Sequence, residues 1–346
     1  MYFSTLSLLA FASGAALAKP TSQHGSRAAT LPLPYRTIFQ LSDTIPGSWF
    51  ENIAIRENGD LLVTMLSPYA DTYLIQQPFS SSPNASIISK IKGANGSIGI
   101  TEVKPDTFAI SAGTFSALAV PVPGTMGVWE LSLAGPKPTT RLIASMPEAG
   151  FLNGATSISD GFSYAVLVAD GQLGVVWRVD LTTGKYEIAV NVPEMAPVSG
   201  SAIIIGVNGV KVHDGYLYWS NSNMVSIFRI AINKKGFPVE GAAVELIAYF
   251  DGDNIDDFDI DANGAFWVAT NDGDTVVVAK KNSTEVVVLG SSTELTVAGD
   301  TALAFGQTKS DKDIVYVVTG GAQLRPVNGT LTEPAKIIAI NRAGFK

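Results

Sequence analysis

The 346-residue chain is acidic, with a formal net charge of −8, and it has two histidines and no cysteine. Disulfides, thiol nucleophiles and zinc sites built on Cys or His are therefore excluded. The absence of a Lys/Arg cluster argues against nucleic acid as a partner.

Residues 1–18 are apolar and uncharged, too short to span a bilayer, and end in Ala-Leu-Ala. They read as a signal peptide cleaved before Lys19. Residues 19–33, rich in Ser, Thr and Ala, read as a mobile tail. Sequons at Asn84, Asn95, Asn282 and Asn328 fit polar segments between strands and a secreted glycoprotein. No later apolar run is long enough to cross a membrane. Residues 34–346 are expected to form one domain and a monomer.

One unit recurs along that domain: an apolar strand, a small or polar loop, then another apolar strand. Its copies begin with 59–64 and continue at 108–113 with 127–133 and at 163–170 with 174–181. They go on through 207–212, 216–220 and 225–230, then 264–271 with 275–280, and finally 314–319 with 336–341. Runs of five or six residues broken by Gly, Asn and Asp indicate antiparallel meanders. A spacing of roughly 50 residues lies in the range of propeller blades. The fold class is all-β, a six-bladed β-propeller. Residues 34–41 (PYRTIFQL) form an orphan strand, expected to close the ring against 336–341.

The chemistry must come from carboxylates, amides, hydroxyls and aromatics. His24 lies in the tail, and His213 stands beside Asp214 in a turn, so a Ser-His-Asp triad has little to draw on. Four polar residues stand at inner-strand starts: Glu51 (WFENIAIRENG), Asn153 (FLNGATSIS), Asn208 (GVNGVKV) and Asp256 (NIDDFDIDANG). Turn chemistry accounts for any one of them singly; four at corresponding places point to a site at one channel mouth. Loops facing them bring Ser67, Tyr69, Thr114, Phe115, Asp170, Asn221, Asn223, Asn271 and Asp272. Trp49 and Phe115 would be aromatic walls, and Asn153, Asn208, Asn221 and Asn223 amide donors. Glu51 and Asp256 are the carboxylates of the four strand-start residues.

With these residues the chain resembles the SMP-30/gluconolactonase superfamily of six-bladed propellers over nearly all of residues 34–346. The resemblance implies a divalent-metal site formed by a Glu, two Asn and an Asp, matched here by Glu51, Asn153, Asn208 and Asp256. TALAFG at 301–306 with VYVVT at 315–319 is similar to that family's closing blade. Two motifs depart from it: Glu51 continues as Asn52-Ile53, not Gly-Pro, and Asp256 stands in Ile-Asp-Asp-Phe, not Pro-Asp-Gly. In this variant form the chain looks like secreted fungal propellers of secondary metabolism. Among these it resembles hetero-Diels–Alderases that join a tropolone quinone methide to a humulene-type sesquiterpene. That resemblance implies small hydrophobic substrates, no required cofactor, and Glu51 or Asp256 as the catalytic acid that donates a proton when a hydroxymethyl tropolone loses water, its pKa raised by desolvation. The alternatives are a lactonase holding Ca²⁺ or a similar cation, and a non-catalytic binding propeller.

Overall fold

Leu61–Ser67 (LLVTMLS) shows why this chain folds as strands: it is apolar or β-branched at nearly every position and buried along almost its whole length. The computed structural model describes residues 29–158, 164–201, 204–252 and 254–345. The expected signal peptide and residues 19–28 of the expected tail lie outside them. Residues 29–33 are described and seated: Leu33 is buried and its N–H bonds Val288 O at 2.8 Å.

Strand β1 (Tyr35–Gln40) comes first in the chain but belongs to the last blade. The first blade is β2 (Trp49–Ile55), β3 (Leu61–Ser67), β4 (Asp71–Gln76) and β5 (Asn84–Lys90). The second is β6 (Gly96–Lys104) and β7 (Thr107–Gly113), an inserted hairpin of β8 (Phe115–Ala117) and β9 (Val120–Pro121), then β10 (Gly127–Ser132) and β11 (Thr139–Ser145). The third is β12 (Leu152–Ser157), β13 (Ala165–Asp170), β14 (Val175–Asp180) and β15 (Tyr186–Val190). The fourth is β16 (Val207–His213), β17 (Tyr216–Asn221), β18 (Ser226–Ala231) and β19 (Glu245–Tyr249). The fifth is β20 (Phe258–Ile260), β21 (Phe266–Ala269), β22 (Thr275–Ala279) and β23 (Val286–Gly290). The sixth is β24 (Asp300–Phe305), β25 (Ile314–Thr319), β26 (Lys336–Asn341) and, on its outer edge, β1.

These are six four-stranded antiparallel blades, as the recurrence predicts. The inner strands β2, β6, β12, β16, β20 and β24 touch their neighbours in a closed circle. Ring closure follows the predicted pairing, with Tyr35 opposite Ile340 and Gln40 opposite Lys336. Apolar side chains fill each interface between neighbouring blades, including the one between the sixth blade and the first. Both faces of a middle strand are thus covered, and β7, β13 and β25 are buried at every residue. This burial accounts for the high apolar content; among the described residues, no helix is long and apolar enough to cross a bilayer.

Candidate functional site at the channel mouth

In five of six blades, the inner strand slips register with its neighbour within its first few residues. The slips fall between Phe50 and Asn52, Ser97 and Ile100, Leu152 and Ala155, Val207 and Val210, and Asp300 and Ala302. A bulge takes a residue out of the ladder and re-aims its side chain. Glu51, Asn153 and Asn208 stand in these slips. Asp256 occupies the same place in the fifth blade, two residues before β20, with its N–H bonded to Ala269 O at 2.8 Å. Hydroxyls on second strands accept N–H groups that the slips release: Thr64 from Asn52 (3.1 Å), Ser111 from Gly99 (2.9 Å) and Ser220 from Gly209 (2.9 Å). Glycine after each Asn lets the strands close up on the axis. A Cβ on Gly154 would stand 2.8 Å from Asn208 O, and one on Gly209 2.2 Å from an Asp257 carboxylate oxygen.

Amides hold the carboxylates in place. Asn208 Nδ2 donates to Asp256 Oδ1 at 2.8 Å and to Ser222 Oγ at 2.9 Å, and Asn271 Nδ2 donates to Asp256 Oδ2 at 2.6 Å. The Trp49 indole N–H donates to Glu51 Oε2. Burial pushes the Glu51 carboxyl from 4.5 up to about 7, against the pull of the indole bond and with help from the Asp257 charge. Burial also raises Asp256 well above the usual carboxylate range, and the Glu51 charge adds to the rise. These two acids therefore feel each other and disfavour a doubly ionised pair. Asn153 is buried at the corresponding place in the third blade, and its side-chain amide makes no hydrogen bond to another described residue. Asn208 Oδ1 is buried without a partner among the described residues.

A second layer was not anticipated. Asn52 Nδ2 on the first blade donates to Asp257 Oδ2 on the fifth at 2.9 Å, and Lys211 Nζ on the fourth donates to Asp257 Oδ1 at 2.8 Å. Asp300, wholly buried on the sixth blade, accepts from Thr270 N at 3.1 Å, and its other oxygen has no partner among the described residues. Burial, with Asp274 and Asp256 nearby, keeps its carboxyl well above the usual range.

The remaining predicted residues separate. Phe115 and Phe151 meet edge to face at 5.6 Å, in one apolar cluster with Trp49 and Leu66. Gly320 lies flat against the Trp49 ring, where a Cβ would come within 2.4 Å. Asn221 anchors a loop. It is fully buried, its Nδ2 donates to Glu194 O (3.1 Å) and Ala196 O (2.9 Å), and its Oδ1 accepts from Met224 N (2.9 Å). Asn223 Oδ1 accepts from Val198 N at 3.2 Å in the same loop system. Asp170 is likewise a staple, accepting from three backbone N–H groups and the Trp177 indole. The four sequon asparagines are exposed. Asn84 starts β5 and so stands within a strand, not between strands. His213 is a surface residue, 3.3 Å from the Asp214 carboxylate.

No family model matches the chain. It is 30% identical over 91% of its length, and 92% of the relative's, to a Phoma protein named as a candidate hetero-Diels-Alderase. This chain belongs to the hetero-Diels-Alderase family. A second relative, the candidate hetero-Diels-Alderase asR5 of Sarocladium schorii, is 28% identical over 92% of this chain and 86% of its own. Family membership makes the chain an enzyme of cyclising type. The solved structure of a candidate gluconolactonase shares the fold at 13% identity, with a TM-score of 0.58 over 91% of this chain and 93% of that one.

Proposed function

We propose that this hetero-Diels-Alderase family member joins a tropolone-derived quinone methide to the alkene of a humulene-type sesquiterpene. The observation that carries this reading is the buried Glu51/Asp256 pair within a ring of amides, next to the apolar Trp49, Leu66, Phe115 and Phe151 wall. A hydroxymethyl tropolone loses water in the first step. The protonated carboxyl gives its proton to the leaving hydroxyl as the C–O bond breaks, and the ring hydroxyl's proton returns to a carboxylate. The acid is regenerated, and a neutral heterodiene and one water result. In the second step the heterodiene oxygen and its terminal carbon each bond to one alkene carbon. No nucleophile or electron carrier takes part. Holding both partners in reacting orientation supplies several kcal/mol of the barrier. The Asn153 amide N–H is the donor for the heterodiene oxygen as negative charge grows on it.

The test separates the two steps. With hydroxymethyl tropolone and the alkene, Glu51→Gln and Asp256→Asn should each lose adduct formation by about 10²–10⁴-fold. With heterodiene generated independently, both variants should keep most of their activity and stereochemical ratio. No enzyme-dependent change in adduct yield or ratio from either starting point would end the reading.

The unpartnered Asn208 Oδ1 favours a second reading. Glu51, Asp256, Asn153 and Asn208 together offer carboxylate and amide oxygens of the kind a hard cation prefers. Such a cation, when bound, would polarise a lactone carbonyl. Under this reading the purified protein carries stoichiometric metal by elemental analysis, and Asn208→Ala loses it. Under the first reading, adduct formation survives chelation.

A further inference from the structure

Between the tip of β3 and the inserted hairpin β8–β9 lies a recess of about 210 Å³. Leu66, Pro68, Phe115, Leu118 and Ala119 supply its apolar lining, and Asn95 closes one side. Its walls are fixed. Asn95 Nδ2 donates to Phe115 O at 2.9 Å and its Oδ1 accepts from Phe115 N at 2.7 Å, so one side chain grips both backbone groups of one residue. The hairpin base is closed by Val122 N to Thr114 O at 2.8 Å and by Thr114 N to Thr125 Oγ1 at 3.0 Å. Gly96 leaves room for the ring: a Cβ there would come within 2.7 Å of Phe115.

Two residues connect the recess to the Glu51 carboxyl. Ser67, on its rim, is the cross-strand partner of Trp49, whose indole holds Glu51. A closed apolar cavity of about 150 Å³ accommodates benzene; this recess is open to solvent on one side and has Ser67 and Asn95 on its rim, and by volume it has room for the end of a group of about six to ten carbons. It carries no charged side chain, which suits a hydrocarbon and not an ionisable tropolone.

We propose that this recess seats the alkene-bearing end of the hydrocarbon partner and that the β8–β9 hairpin sets the size of alkene accepted. The inference rests on the cycloaddition reading, but its test does not require turnover. Naphthalene, which has ten carbons and no charge, is titrated into the full protein and followed by saturation-transfer NMR. Saturable binding at one site is expected. Leu118→Trp, which fills the recess, and Ala117→Trp, at an exposed position on its lip, should each weaken it at least tenfold. Ile188→Trp, on the outer strand β15, should leave it unchanged. Absence of saturable binding, or equal affinity in both blocking variants with an unchanged far-ultraviolet spectrum, overturns the subsite. If binding behaves as expected and no adduct forms in any assay, the subsite stands and the cycloaddition reading fails. If adduct forms with undiminished yield in both blocking variants, the reading stands and the subsite fails.

Discussion

Glu51 is a carboxylic acid with little water around it, and that fixes the sign of its pH response. In the unfolded chain it ionises near 4.5, whereas in the fold it ionises at about 7. Between these values the folded protein keeps a proton that the unfolded chain has released. The stability linked to this group is fully present below the unfolded value and is lost as pH rises through the folded one. The slope is at most about 1.4 kcal/mol per pH unit, about 3 kcal/mol in all. Thermal denaturation should therefore show a midpoint that falls from pH 5 to 8 in the parent and falls markedly less in Glu51→Gln. Parallel curves would mean that the carboxyl is solvated. Glu51, Asn153, Asn208 and Asp256 were legible in the sequence because equivalent strand starts repeat, and repetition marks position. Asn52, Asp257 and Lys211 were not, because their bonds cross the ring: Asn52 and Asp257 are 205 residues apart. The loop bonds of Asn221 are not legible either, because a strand-end Asn has the same local signature whether it faces a ligand or ties down a loop.

At the scale of elements, hydroxyls stitch each of four blades to the inner strand of the next, or to the segment leading into it. Thr64 donates to Ile98 O, Ser111 to Asn153 O (3.0 Å), Ser222 to Ile255 O (2.7 Å) and Thr301 to Phe50 O (2.8 Å), each reaching the next blade. Thr301→Val keeps the shape and removes the donor, leaving the buried Phe50 carbonyl without it. The expected cost is about 1–3 kcal/mol by denaturant unfolding; no measurable change would show that the stitch is ornamental. Removing residues 35–40 should cost more, since it strips buried Ile38 from the blade interface and bares the edge of β26. Differential scanning calorimetry should then show a lower, broader transition or none. The middle strands were plain in the sequence because both their faces are apolar. The outer strands β5, β11, β15, β19 and β23 were not: Thr139–Ser145, for example, is exposed at its first four residues and so lacks a continuous apolar signal.

At the scale of the molecule, a circle of blades with apolar packing at every seam has no natural place to come apart in pieces. Leu167 is fully buried between the third and fourth blades. Leu167→Ala should cost about 2–5 kcal/mol and lower one common midpoint without splitting it. A second calorimetric peak would reveal blades melting separately. The strap β1 also brings the two ends of the described chain together. Ala29 N–H reaches Gly344 O at 3.2 Å, and Asn341 N–H reaches Pro34 O at 2.7 Å. A short Gly/Ser bridge could therefore join residue 345 to residue 29, and the chain could be cut anew between the exposed Thr182 and Thr183, on the rim opposite Glu51 and Asp256. The permuted protein would begin in one half of the third blade and end in the other, so its clasp would move to β14 and β15 while the mouth kept all six of its inner strands. It should fold, keep the pH dependence of its midpoint and bind naphthalene like the parent, because a circle has no obligatory first residue.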